Sequence, residues 1–274
     1  MQKIDNSNRN SFPDAQTIGR FQLANGITVL SYSNLYSKSL TITGMFSGGG
    51  ALDPPDKIGT AHFTASMLLR GNAHDTFQEI YEKLESVGAS LSFSAGTKNT
   101  WFKGRSLVKD FPMLLALIFD CLTVPTVPEE YISRLRNQFL TGLLIRDQDT
   151  QQRASLEYDR ALFGDHPYGI PVDGYPETIK NIQREDLINH HKTYQPQDTL
   201  IAVAGALSLE QIKDQVTSQF ENWKAVSPIS EPAYPEIQAP TSTIRIHTPI
   251  EGKSQTDIQM GTIGPARTSP DYYP

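Results

Sequence analysis

Apolar residues recur at every second position in two early stretches, "GITVL" and "SLTITGMF", and predict a pair of strands. In the second stretch Leu40, Ile42 and Phe46 fall on one face. A loop rich in breakers, "SGGGALDPPDKIG", follows and leads into a first helix within "GTAHFTASMLLRG". Thr76 and Glu79 form a T-x-x-E capping box that opens a second helix, with Ile80, Leu84 and Val87 as its buried stripe and Gly88 as its end. "ASLSFSAG" then alternates, Leu91, Phe93 and Ala95 on one side and serines on the other, and "TWFKGRSL" returns beside it as a hairpin.

Helical periodicity takes over near residues 110–122, from Glu129 to Arg146, and from Thr150 to Phe163. The middle helix repeats Tyr131, Leu135, Phe139 and Leu143 at four-residue steps. One more helix is expected over 178–192, then a strand, "TLIAVAG", whose unbroken apolar run predicts cover on both faces. "SLEQIKDQVTSQFENW" is amphipathic and closes the unit. Residues 226–240 read as a proline-rich linker. Beyond it, "TIRIHT" and "SQTDIQMGTIG" resemble the opening strand pair, and two bare strands bury no core, so the chain reads as truncated or in need of another subunit. The expected organisation is a polar lead at 1–14, an α+β domain at 15–225, the linker, and the first strands of a second, homologous domain at 241–274.

Composition removes several classes of function. The 274 residues are 38% hydrophobic and carry a net charge of -6 without a basic run, so neither nucleic acid nor an anionic membrane is the expected partner. Cys121 is the single cysteine, which excludes an internal disulfide and a cysteine-based zinc site, and its apolar surroundings predict a buried, inert thiol. No run reaches membrane-spanning length and the first residues hold no apolar core region, so the expected location is cytoplasmic.

Four segments in order carry a family resemblance: "LANGITVL"; "GGGALDPPDKIGTAHFTASMLLRGN"; "LESVGASLSFSAGTKNT"; and the long stretch from "FGDHPYGIPVDG" to "TLIAVAG". Together they resemble the pitrilysin/insulinase family of zinc peptidases, the inverzincins, which includes the mitochondrial processing peptidases and the core subunits of the respiratory cytochrome complex. The resemblance implies α+β halves, each a mostly antiparallel sheet with helices packed on one face, closing in pairs around a chamber. It also implies an H-x-x-E-H helix whose two histidines bind zinc while the glutamate activates water, with a distal glutamate as third ligand.

Carried across, the first histidine is His62, the catalytic glutamate is Ala65, the second histidine is Ser66, and the distal glutamate falls at or next to Gly142. No glutamate occurs from Tyr131 to Leu156, so shifting the correspondence restores nothing. No catalytic residue and no metal ligand set is therefore expected; His62 is the only ligand-type residue retained, and it reads as a packed histidine. The substrate-side strand corresponds to Leu91, Ser92, Phe93 and Ser94, with Ser92 where the family usually has asparagine. The resemblance then implies a non-catalytic homologue that binds peptide in a heterodimer with a zinc-bearing family member. No cofactor is expected in this chain, zinc belonging to the partner. The alternatives are an active zinc metalloendopeptidase and a purely structural subunit of the core type.

Other tempting residues read as structural. His190 and His191 are adjacent, diverge on a helix, and are expected on the solvated surface; His166 is expected to organise a turn, and His74 to be exposed. Asp147 and Asp149 read as a solvated turn, and the glycines at 48–50 as a turn without the pattern of a phosphate loop.

Overall fold

The fold is built on alternation. In a computed structural model describing residues 13, 16–225 and 234–273, six strands form one sheet: β1 (Ile18–Gln22), β2 (Thr28–Ser33), β3 (Ser39–Ser47), β4 (Ser90–Ala95), β5 (Asn99–Leu107) and β6 (Leu200–Gly205). Their order is β1-β2-β6-β3-β5-β4, antiparallel throughout except for the parallel pair β2–β6. The architecture is α+β, as expected, and one sheet face carries the core. Val29, Leu40, Ile42, Phe46, Phe102, Ile201 and Val203 point into it, and each is 1% exposed or less.

Among the described residues eight α-helices complete the unit: α1 (Thr60–Met67), α2 (Phe77–Ser86), α3 (Phe111–Thr123), α4 (Glu129–Gln148), α5 (Thr150–Phe163), α6 (Pro176–Asn181), α7 (Arg184–His191) and α8 (Leu209–Phe220). The Thr76–Glu79 capping box forms as expected, and Ile80 and Leu84 are buried. Helix α3 buries seven of its thirteen residues, among them Cys121, whose thiol is pushed up to about 12 by burial. That thiol is inert at neutral pH. A second, smaller core joins Phe63 and Met67 of α1 to Ile132, Leu135 and Leu143 of α4 and to Ile179 and Leu187 of α6 and α7.

Several expectations are corrected. Strand β1 was not marked by the hydrophobic pattern. The helix expected over 178–192 is two helices, broken where Gln183 turns extended and its N–H donates to Asp186 Oδ2 at 2.7 Å, starting α7 afresh. Strand β6 is not covered on both faces: Ile201, Val203 and Gly205 are buried, whereas Leu200 and Ala202 are half-buried and Ala204 is exposed. Its run is unbroken because small and apolar residues also occupy its open face.

Among the described residues 234–273 there is no strand, against the pair expected in "TIRIHT" and "SQTDIQMGTIG". Those stretches lie instead against α5, where Thr150 Oγ1 donates to Asp257 and Gln259 Nε2 donates to Ser155 Oγ at 3.2 Å. Alternation alone makes no strand without a ladder partner to satisfy its backbone. A cavity of about 520 Å³ lies between Tyr158 and Ala161 of α5 and Ile244 and Ile246 of this arm. The expected 1–14 lead, save Pro13, and residues 226–233 of the linker lie outside the described residues.

Candidate functional site

Helix α1 has no side-chain cap of its own, since Gly59 stands at its N-cap with φ 105. A polar loop residue supplies the missing acceptor: Gly59 N donates to Asp53 Oδ2 at 2.8 Å and Ala61 N to Asp53 Oδ1 at 2.9 Å. Orphan N–H groups at a helix start favour a carboxylate there. The same loop is clasped from the other side, where Thr178 Oγ1 donates to Ile58 O at 2.7 Å. Only glycine fits at 174, whose added Cβ would lie 2.3 Å from Ile58 O.

With α1 fixed in this way, His62 and Ser66 share a face one turn apart, both half-buried, while Ala65 is 1% exposed and faces the packing side. The His62 ring packs at a tilt against Phe139 of α4 with centroids 4.7 Å apart, and Gly142 follows three residues later on the same side of α4. The fold therefore sets His62 against α4 three residues before Gly142. A Cβ at Gly142 would meet nothing within 4 Å, so that position opens onto free space. Burial lowers the His62 pKa while Asp173 raises it, and desolvation is the larger effect. His62 is neutral at pH 7.

These positions offer one imidazole, one hydroxyl, a methyl group and a hydrogen atom. That donor set does not fit zinc, which takes three protein nitrogen, oxygen or sulfur ligands in catalytic sites. Among the described residues no group of three or more His, Cys, Asp or Glu is placed to hold a metal ion.

One turn beyond Gly142 the structure places a cation that the sequence reading passed over. Arg146 is 6% exposed; its Nη1 donates to Asp173 Oδ1 at 3.0 Å and to Gly174 O at 2.9 Å, and its Nε to Asp147 Oδ1 at 3.3 Å. The guanidinium latches the end of α4 onto the loop that cradles α1. Arg146→Ala is expected to lower the urea-unfolding free energy by about 2–3 kcal/mol, below the usual cost of breaking a buried pair because Asp147 and Asp173 keep access to water. Arg146→Met, which keeps the stem, should recover about 1 kcal/mol; equal losses in both variants would mean that packing contributes nothing.

The other sequence candidates fall as follows. Leu91, Ser92, Phe93 and Ser94 lie on β4, which is an edge strand beside α1, with Leu91 turned inward and Ser92 and Ser94 exposed. His166 organises a turn as expected, its Nδ1 accepting from Tyr168 N at 3.1 Å, and the His74 side chain is 65% exposed. Asp149 is more than a solvated turn residue: it caps α5 by accepting from Gln152 N at 2.8 Å.

His190 and His191 are corrected outright. His190 is buried and His191 half-buried rather than solvated, because α7 is wedged between the glycine turn and the end of α3. His190 Nε2 lies 3.0 Å from Gly48 O, and His191 Nε2 lies 2.7 Å from Leu122 O. The opposite face of His190 meets Asp53, with Nδ1 3.7 Å from Oδ1, and the two side chains are 4% and 1% exposed. Asp53 was not singled out by the sequence; the signal available was a helix start lacking Ser, Thr, Asp or Asn, which needs a cap from elsewhere.

Comparison with known proteins follows the same outline. The family profile described as "Insulinase (Peptidase family M16)" matches residues 28–173, and the one described as "Peptidase M16 inactive domain" matches residues 181–274. The second match begins at the end of α6, so its first part includes β6, which the fold inserts between β2 and β3. A probable mitochondrial-processing peptidase subunit beta of Arabidopsis thaliana is 28% identical over 199 residues, covering 72% of this chain and 38% of that protein. An uncharacterized zinc protease of Rickettsia bellii is 25% identical over 202 residues, covering 73% of this chain and 49% of that protein. The crystal structure of a peptidase M16 inactive domain from Pseudomonas fluorescens superposes with a TM-score of 0.70 at 26% identity, over 79% of this chain and 54% of that one. This chain thus spans half or less of the length of those two relatives. The matched profile, the ordered motifs and the sheet with its flanking helices converge: the chain belongs to the insulinase family, peptidase family M16.

Proposed function

We propose that this chain is a non-catalytic member of its family, a supporting subunit that shapes a peptidase chamber and binds peptide while a zinc-bearing homologue performs the cleavage. The carrying observation is the donor set on α1 and α4. Ala65 cannot take a proton from water, Ser66 is a weak zinc ligand, and Gly142 supplies no ligand, so no hydroxide nucleophile is generated here. The relative from Arabidopsis is named as a subunit, which supports a paired arrangement for this chain as well. Peptide binding needs no metal: among the described residues β4 is the outermost strand of the sheet, and an extended peptide added to its edge bonds through its backbone.

The test is zinc content by elemental analysis together with cleavage of a quenched fluorescent peptide, on the purified chain and on its mixture with a zinc-bearing homologue from the same genome. The expected result is no zinc and no cleavage in the chain alone, and one zinc per pair with cleavage in the mixture. Stoichiometric zinc and cleavage in the lone chain would establish an active peptidase instead. Pairing without any peptide binding would leave a structural subunit.

A further inference from the structure

The six strands carry three charged residues, Arg20, Lys103 and Arg105, and no Asp or Glu, in a chain whose net charge is -6. All three cations are exposed on the sheet face turned away from the core. Apart from the amides Gln22 and Asn99, the rest of that face is hydroxyl-bearing, small or apolar. Across one row the register runs Ser92–Lys103–Thr43–Ala202–Leu30–Arg20, and across the next Ser90–Arg105–Thr41–Ala204–Tyr32. A third row places Ser94 beside Trp101, which is 44% exposed. None of the three cations has an ion-pair partner among the described residues.

We propose that Lys103 and Arg105 select acidic side chains on a peptide strand added to β4, with Trp101 receiving an apolar or aromatic side chain next in line. This rests on the peptide-binding reading of the β4 edge given above. An added strand alternates its side chains, so every second one stands on the open face in line with Ser90, Ser92 and Ser94. Those serines are short, and the long side chains of Arg105 and Lys103 behind them can lie across to the edge. Positions two apart on the peptide are about 7 Å apart, the spacing of Ser90 and Ser92 and of their partners Arg105 and Lys103. The pattern read out is therefore acidic-x-acidic-x-aromatic for a strand added parallel to β4, and the reverse order for an antiparallel one. A peptide fits better than a polyanion such as nucleic acid, since two cations in register beside a free edge match alternate side chains, while the chain as a whole repels polyanions.

The experiment is fluorescence anisotropy of a labelled Glu-x-Glu-x-Phe peptide on the purified chain, beside a Gln-x-Gln analogue, an analogue with adjacent glutamates, and an analogue N-methylated at alternate amides. Lys103→Glu and Arg105→Glu, both on exposed positions, are measured with circular dichroism as a fold control. The expected result is roughly fivefold tighter binding of the acidic peptide over the Gln analogue at moderate salt, shrinking as salt rises and reversing in the double variant. N-methylation should abolish binding of every peptide. Equal affinity for the acidic and Gln peptides, with N-methylation still blocking both, would overturn the charge selection and leave edge binding standing. Binding that survives N-methylation, or no binding of any peptide, would overturn the edge reading beneath it. Tighter binding of a poly-dT oligonucleotide or of anionic vesicles than of the acidic peptide would overturn the choice of partner.

Discussion

Asp53→Ala is expected to lower the unfolding free energy by about 3 kcal/mol, because the Gly59 and Ala61 N–H groups lose their shared acceptor inside the protein. Its carboxylate is the cap that α1 lacks locally, and it sits where the chain has just left the glycine turn. Asp53→Asn keeps one carbonyl oxygen and should recover about half of the loss. Urea denaturation followed by circular dichroism measures both. A change under about 0.5 kcal/mol for the alanine variant would mean that water or a neighbouring group takes over the cap.

The same residue gives a pH signature through His190. Because Nε2 faces the Gly48 carbonyl, it carries the proton and leaves Nδ1 as a lone pair toward Asp53. Burial pushes the Asp53 carboxyl up to about 7, outweighing the Gly59, Ala61 and Thr60 N–H groups that pull it down. Burial likewise pulls His190 down to about 4, against the Gly48 carbonyl that raises it. Between 3.8 and about 7 the folded chain holds an aspartate proton that the unfolded chain has released, so this group's contribution to stability falls as pH rises. Between about 4 and 6.5 the folded chain lacks a histidine proton that the unfolded chain holds, so that contribution rises with pH. The two slopes cancel across the shared window. His190→Gln should expose the falling slope and Asp53→Asn the rising one, each on the order of 2–3 kcal/mol over the window. Urea midpoints at a series of pH values decide it, and parallel curves for the two variants would refute the opposed pair.

What the sequence made legible, and what it hid, follows from how far apart the determining contacts lie. The capping box at Thr76, the hairpin β4–β5 and the inward row of β3 are local patterns, and they were read correctly. Strand β1 was invisible because its alternation is carried by Phe21 and by Gly19, where a Cβ would lie 2.6 Å from Ser31 Oγ and 2.7 Å from Leu209 Cδ1. An inward position filled by glycine shows no apolar signal. The arm at 243–264 failed in the opposite sense, its Ile–x–Ile alternation having no ladder partner among the described residues. At the site, α1 and α4 could be placed by motif, whereas Asp53–His190 joins a loop to a helix across more than a hundred residues and Arg146–Asp173 joins a helix end to a loop. Side-chain contacts of that span leave no periodicity to find. Histidines that look like surface residues in a polar helix are inside because of what packs over α7.

Returning the missing donors should separate a lost ligand set from a lost scaffold. Ser66→His with Gly142→Glu is expected to raise zinc affinity by roughly a thousandfold or more over the unaltered chain, as one imidazole becomes two plus a carboxylate. The geometry favours it: residues 62 and 66 share one face of α1, His62 already packs on Phe139, and a side chain at 142 enters open space. Ala65→Glu belongs in a separate variant, because Ala65 is 1% exposed and a larger, charged side chain there costs stability by overpacking and desolvation, about 2 kcal/mol or more. Isothermal titration with zinc and elemental analysis after dialysis, with each single variant as control, measure the effect. If the double variant binds zinc no better than either single one, the positions on α1 and α4 do not converge on a common point and Ser66 and Gly142 are not the counterparts of the family's ligands. If it binds stoichiometrically, the scaffold holds the shape of a metal site, and zinc binding between α1 and α4 is decided by a few side chains and not by the fold.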